Sequence, residues 1–210
     1  MSIHRAARGT RAGPVTGGGG SMSIDAAGQA PVVVLVGAAA LVARPWLAAA
    51  ATHPTTALVG VFVALGAAGA WWPLAGRDRA GGRVTLPARS TAAGVAAVGC
   101  GAFVTGRLLA QGRAAAPALA TYLVLNTLAA VAEEAFFRRL LYGLLEPYGP
   151  AVAVGGSAAA FAVVHLTVWG AWALPLDLAA GLVLSWQRWA SGRWSVPALT
   201  HVVANVLAVI

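Results

Sequence analysis

The sequence predicts an all-α, polytopic integral membrane bundle of about six to eight transmembrane helices, and three observations carry that prediction. Apolar residues make up 59% of the 210-residue chain and charged residues only 10%, whereas a soluble globular domain carries about 25% charged residues. From Ala30 onward, apolar stretches of about 20 residues, the length that crosses a hydrocarbon core, alternate with short polar breaks. The tryptophans fall mostly near the ends of those stretches, where an amphipathic ring places its apolar body in lipid and its N–H among headgroups. A disordered chain is excluded, and a soluble enzyme does not fit.

Taken in order, residues 1–29 hold Arg5, Arg8, Arg11 and a Gly tract, with no apolar run directly after the charges. They do not form a signal peptide and are expected to be a disordered cytoplasmic tail. The triplet Met-Ser-Ile begins at Met1 and again at Met22, which points to Met22 as a candidate start. Seven spans follow, at about 30–50 (interrupted by Arg44-Pro45), 55–75, 91–111, 117–143, 150–168, 171–187 and 194–210. Residues 30–118 are read as N-terminal transmembrane helices and 119–210 as the core that carries the chemistry.

The net charge of +8 comes with fourteen basic residues, all of them Arg. They sit at the edges of apolar runs rather than on one stripe, so they read as topology determinants and not as a nucleic-acid footprint. Arg5, Arg8 and Arg11, then Arg77, Arg79, Arg83 and Arg89, then Arg138 and Arg139, then Arg188 and Arg193 recur on one side after successive pairs of spans. That excess predicts a multi-pass protein of the cell membrane with a cytoplasmic N-terminus. The single Cys100 lies in an apolar run and reads as a packing residue. Gly94, Gly99, Gly101 and Gly106 lack the Gly-Lys-Ser/Thr of a phosphate loop and read as close helix contacts.

The polar groups left inside apolar spans carry the functional information, because an ionised side chain at the bilayer centre costs on the order of 3 kcal/mol even on the lenient scale. Glu133 and Glu134 are adjacent within TLAAVAEEAFFRRLLYGLL. Adjacent buried carboxylates repel, an arrangement expected where a group takes up and releases protons. Glu134 and Arg138 stand at i,i+4 and are expected to form an ion pair that holds the fold. Glu133 points about 100° away, has Phe137 rather than a cation four residues on, and is read as the group left free to act. His165 ends AAAFAVVH, while His201 and Asn205 share one helix face at i,i+4. Taken singly, each is more often an interhelical hydrogen-bond group. Together with an unpaired Glu on a third span, they are expected to line one polar cavity. Asp177 reads as an interfacial or span-start residue, and His4 and His53 carry no assignment.

Glu133-Glu134-x-x-x-Arg138, Phe161-x-x-x-His165 and His201-x-x-x-Asn205 resemble, in order and spacing, the three motifs of the CPBP intramembrane proteases, formerly the Abi family, which include the type II CAAX prenyl endopeptidases and bacteriocin-processing proteins. The stretch LDLAAGLVLSWQRWASGRWSVPALTHVVAN is similar to the family's approach to its last motif, and the resemblance covers about residues 119–209. It implies an intramembrane endopeptidase in which Glu133 and His165 activate a water and His201 and Asn205 hydrogen-bond the oxyanion. Glu134 and Arg138 would steady the site from behind. Arg139 departs from the Gly often found there. The favoured reading has no cofactor. The alternative is Zn2+ held by Glu133, His165 and His201, a plausible three-ligand set in a chain without a His-Glu-x-x-His helix. The expected partners are the lipid bilayer and a membrane-associated protein or peptide substrate, and the Arg-, Ala- and Gly-rich composition looks bacterial. A non-catalytic membrane scaffold or immunity protein and a proton-coupled transporter are the rival classes. Against the transporter, the two halves show no matching repeat.

Overall fold

The computed structural model describes residues 24–71, 88–109 and 119–209, and helices account for nearly all of them, with no strand among them. In order they are α1 (Ile24–Ala50), α2 (Pro54–Trp71), α3 (Ala88–Leu109), α4 (Leu119–Glu134), a π-helical segment (Ala135–Leu141), the short α5 (Tyr142–Leu145), α6 (Pro150–Trp169), α7 (Leu174–Ser191) and α8 (Ser195–Val209). Single 3-10 turns at Glu146–Tyr148 and Ala171–Ala173 precede α6 and α7. Among the described residues seven long helical stretches fall where the seven apolar runs lie, since α4, the π segment and α5 run on as one. Most of the expected tail lies outside the described residues, but α1 already begins at Ile24, inside the 1–29 segment read as disordered.

The expected interruption at Arg44-Pro45 does not occur: α1 runs through both residues to Ala50. A proline inside a membrane helix removes one backbone hydrogen bond, which neighbouring helices and side chains can make good. The carbonyl freed by Pro45 is that of Leu41, and Thr167 Oγ1 of α6 donates to the next one, that of Val42, at 3.0 Å. At the boundaries of α6, Gly149 and Gly170 have φ of 104° and 81°, which side-chain-bearing residues rarely adopt. They set where the helix bearing His165 starts and stops.

Polarity is distributed as a bilayer requires. Fully buried positions include Glu134, Arg138, Ser157, Ser185, Gln187 and Thr200, whereas Leu35 is 69% and Leu108 80% exposed. In water that arrangement is inside out; in lipid the exposed apolar faces are solvated and the buried polar groups pair with one another. Among the described residues three helical stretches are long and apolar enough to span, Gly28–Ala50, Thr91–Leu109 and Pro150–Trp169, with shorter apolar stretches at Pro54–Ala70 and Ser195–Ala208. The α4–α5 stretch carries Glu133, Glu134 and Arg138 of the interior, α7 carries Gln187 and Arg188, and α1 adds Arg44. Exposed Trp46, Trp169 and Trp172 mark one end of the bundle and Trp189 the other.

Interhelical hydrogen bonds fix the helix directions. Arg107 Nε donates to the Leu207 carbonyl at 2.9 Å and Cys100 lies 3.7 Å from Thr200, so α3 and α8 run parallel. Gln187 of α7 reaches the Val95 carbonyl of α3 at 2.9 Å and ties those two helices together. Glycines let backbones meet: a Cβ on Gly69 of α2 would strike the Ala135 backbone, and one on Gly181 of α7 the Ala158 backbone of α6. The apolar core, Leu41, Phe62, Leu65, Ala132, Phe136, Phe137, Leu140, Phe161 and Val164, draws on α1, α2, the α4–α5 stretch and α6.

Candidate active site

Glu133 and Glu134 end α4 and are 3% and 0% exposed, so each needs a cationic or donor partner. Glu134 Oε1 accepts from Arg138 Nη1 at 2.8 Å, the i,i+4 pair expected from spacing. Arg138 Nη2 also donates to the Gly181 carbonyl of α7 at 3.2 Å. Glu133 is not unpaired, which corrects the sequence expectation: Arg44 Nη1 of α1 meets its Oε1 at 2.7 Å. The partner lies 89 residues away, and no helical periodicity in α4 points to it.

The pairing divides the two oxygens of Glu133. Oε1 faces Arg44, while Oε2 faces His165 Nε2 at 3.8 Å and His201 Nε2 at 4.0 Å. Both separations are too long for direct hydrogen bonds and span the width of one water-sized group. The far side of each ring is held. His165 Nδ1 lies 2.7 Å from the Phe161 carbonyl, which only accepts, so that nitrogen carries hydrogen. His201 Nδ1 lies 2.9 Å from Glu134 Oε1 and donates to a carboxylate. With Nδ1 carrying hydrogen, each ring turns its Nε2 toward Glu133, and three polar atoms converge on one point. A neutral ring offers a bare Nε2 there, and an imidazolium an N–H. Such a point suits a water that gives up a proton, a cation, or an imidazolium in place of one neutral ring.

Phe161 carries more than its sequence reading suggested. Its ring centroid is 4.5 Å from that of His165 and 5.6 Å from that of His201, and the Arg138 guanidinium lies 4.6 Å from it. One aromatic ring thus touches both histidines and the cation behind Glu134, fixing their relative positions by packing and cation–π attraction.

These groups lie at the inner end of a cavity of about 390 Å³. Glu133, His165, His201 and Asn205 all line it, so the residues singled out in sequence converge. Asn205 also donates from Nδ2 to the Asn126 carbonyl of α4 at 3.1 Å, tying α8 to α4. Arg44, Asn126 and Asp177 line the cavity too and were not assigned to it from sequence. Asp177 does lie in the first turn of α7, as a span-start residue would, but that turn forms part of the wall. Leu58, Phe62, Phe103 and Val168 make other parts of the wall apolar. An apolar chamber with a few convergent polar groups at its inner end has the character of a small-molecule or peptide site.

Glu133 Oε2, His165 Nε2 and His201 Nε2 are the donor atoms that a zinc would use. On a tetrahedral zinc, donor atoms stand roughly 3.4 Å apart, given bonds of about 2.0–2.2 Å, and the separations here are 3.8 and 4.0 Å. Arg44 already places a cation on Glu133, and a divalent ion beside it would be repelled. Among the described residues no group of three His, Cys, Asp or Glu has the arrangement of a metal site.

Comparison with known proteins adds one finding. Residues 115–207 match the family model described as Rce1-like, type II CAAX prenyl endopeptidase. No curated protein and no solved structure matches.

Proposed function

We propose that this membrane protein, whose residues 115–207 match the Rce1-like family model, is an intramembrane endopeptidase that works by a glutamate-activated water without a metal. The observation that carries the reading is the convergence of Glu133 Oε2 with the Nε2 atoms of His165 and His201, 3.8 and 4.0 Å away, at the inner end of the cavity.

In this mechanism a water held between Glu133 and His165 attacks the peptide carbonyl, and Glu133 Oε2 takes one of its protons. The carbonyl oxygen becomes an oxyanion. His201 donates to it as an imidazolium, whose charge is balanced by Glu134 on Nδ1, and the Asn205 amide supplies a second hydrogen. When the C–N bond breaks, the leaving amine takes the proton from Glu133, which returns as a carboxylate. Arg44 holds Oε1 throughout and keeps Oε2 aimed at the histidines. A Glu133 without such a clamp would lose the alignment that makes a bound water reactive.

The substrate is a membrane-associated protein or peptide. The arginine-rich end of the bundle is taken as cytoplasmic, and the composition supports a bacterial cell membrane as the location. The decisive experiment compares N- and C-terminal peptides of the membrane proteome between cells carrying wild type and Glu133→Gln at equal abundance. Termini seen only with wild type are expected, and they name the substrate. Unchanged termini, with the variant still rescuing a deletion phenotype, would end the catalytic reading. A chelator added to the purified protein in detergent should leave cleavage of such a substrate unchanged; inhibition that zinc reverses would transfer the mechanism to a metal.

A further inference from the structure

Among the described residues, three charged side chains line the cavity: Arg44, Glu133 and Asp177. Two of them satisfy each other, because Arg44 Nη1 meets Glu133 Oε1 at 2.7 Å. Asp177 is left over. Its carboxylate forms no hydrogen bond or ion pair with another described residue. The groups near enough to act on it through space are His165, Glu133 and Arg44. Arg44 is paired with Glu133, and Glu133 repels a second carboxylate. His165 turns Nδ1 to the Phe161 carbonyl at 2.7 Å and Nε2 toward Glu133, so neither ring nitrogen is directed at Asp177.

A carboxylate in the first turn of α7 needs no ligand to be tolerated there, so its position alone assigns it nothing. Its surroundings do. Asp177 is partly buried and faces the chamber. Trp169, which ends α6 one short connection earlier, lines the same chamber, and an indole face beside a carboxylate attracts a cation. The apolar wall of Leu58, Phe62, Phe103 and Val168 suits the methylene stem of a long basic side chain, whose charged head needs a polar end point. An unmatched carboxylate in so apolar a chamber is costly, and a cation offsets that cost. At about 390 Å³ the cavity is near the lower end of the roughly 300–1,000 Å³ of ligand sites. Whatever reaches Asp177 therefore lies close to whatever lies at Glu133.

We propose that Asp177 selects the substrate: the polypeptide bound in the cavity carries an Arg or Lys close to the scissile bond, and its cationic head pairs with the Asp177 carboxylate. That the cation belongs to a polypeptide rests on the peptidase reading above; the preference of the chamber for a cation does not. A neutral side chain in that place leaves Asp177 unmatched, and an acidic one faces both Asp177 and Glu133. Asp177 thus decides which segment is held, while Glu133 and the histidines act on the bond.

Binding of a small cation tests this without catalysis. The purified full chain in neutral detergent is titrated with butylguanidinium and with butylurea, its uncharged counterpart, while thermal unfolding is followed. Butylguanidinium is expected to raise the melting temperature saturably, and butylurea much less. Asp177→Asn should weaken the response to the cation by about 10–100-fold, the size of a lost hydrogen bond to a charged group, and leave the response to butylurea as it was. Asp177→Glu should keep the preference. Equal responses of the wild type to both compounds, a comparison that needs no variant to fold, would overturn the proposal, as would an undiminished cation preference in Asp177→Asn. In cells, the termini that depend on Glu133 should lie within a few residues of Arg or Lys, and that bias should vanish with Asp177→Asn. Glu133-dependent termini without the bias would refute the substrate class and leave the peptidase standing. An Asp177-dependent cation preference without any Glu133-dependent termini would refute the peptidase alone and make the ligand a free organic cation.

Discussion

At the residue scale, the two adjacent glutamates are separated by their partners. Glu133 touches Arg44 and faces the histidines across a water-sized space, while Glu134 lies fully buried between Arg138 and His201. Glu133→Gln keeps an acceptor for Arg44 and removes the proposed base, so folded protein is expected to persist while cleavage falls by about 10²–10⁴-fold. Glu134→Gln and Arg138→Ala each leave an uncompensated buried group, and breaking such a pair costs about 3–5 kcal/mol. The amount of folded, detergent-extracted protein should drop for both. Equal recovery of all three variants would show that the two carboxylates are interchangeable. A further expectation concerns Phe161, whose ring contacts His165, His201 and Arg138. Phe161→Leu retains bulk but loses ring contacts worth about 0.5–2 kcal/mol, and it should lower kcat more than it lowers thermal stability. A fall in stability with kcat intact would confine the ring to a packing role. The Glu134–Arg138 pair was legible because it follows helical periodicity within one segment. The Arg44–Glu133 pair was not, because an isolated Arg in a distant span carries no mark of which carboxylate it meets.

At the element scale, helix existence was readable because burial in lipid obliges every backbone group to bond within its own segment, and apolar stretches then declare themselves. What composition hid was the behaviour of two segments. Pro45 suggests a break, but side-chain hydrogen bonding from α6 at Val42 accompanies a helix that continues. The segment Ala135–Leu141 reads as ordinary helix and is π-helical. A wider turn rotates successive side chains by less than the roughly 100° of an α-helix, which suits a stretch where Ala135, Phe136, Phe137 and Arg138 are all buried. Gly69 of α2 packs directly on the start of this segment, where a Cβ would collide with the Ala135 backbone. Backbone cannot give way as the tip of a side chain can, so Gly69→Ala is expected to cost about 1–3 kcal/mol. It should also displace the helix that carries Glu133, lowering activity and melting temperature together. Gly60→Ala, on the same helix with open space around it, serves as the control and should change neither. If Gly69→Ala melts like Gly60→Ala, the α2 contact does not position the site.

For the whole molecule, the segment that matches the family, residues 115–207, is not self-sufficient as a chamber. α1 supplies Arg44 and Ala48, α2 supplies Leu58 and Phe62, and α3 supplies Phe103. The motifs in the C-terminal part were legible because they repeat a local pattern. The contribution of residues 24–109 was not, because Leu, Phe and Ala in a span look alike whether they face lipid or substrate. The expected division near residue 118 therefore separates two stretches of sequence that share one cavity. Membrane helices insert first and associate afterwards through packing and hydrogen bonds, so the two stretches need not be covalently joined. A chain cut between α3 and α4 is expected to reassemble when fragments 1–113 and 114–210 are expressed together. Arg44 would again meet Glu133, Gln187 the Val95 carbonyl and Arg107 the Leu207 carbonyl, the contacts that cross the cut. Co-purification of the fragments and return of Glu133-dependent cleavage are the readouts. Fragment 114–210 alone should be inactive, since it leaves Glu133 without its cation and the cavity without three of its walls. An Arg44→Gln change in fragment 1–113 should then preserve co-purification but weaken cleavage, because the apolar and Gly-mediated contacts survive while the clamp on Glu133 does not. Full activity of the isolated C-terminal fragment would mean that the first three helices are dispensable and that Arg44 plays no part in placing the base.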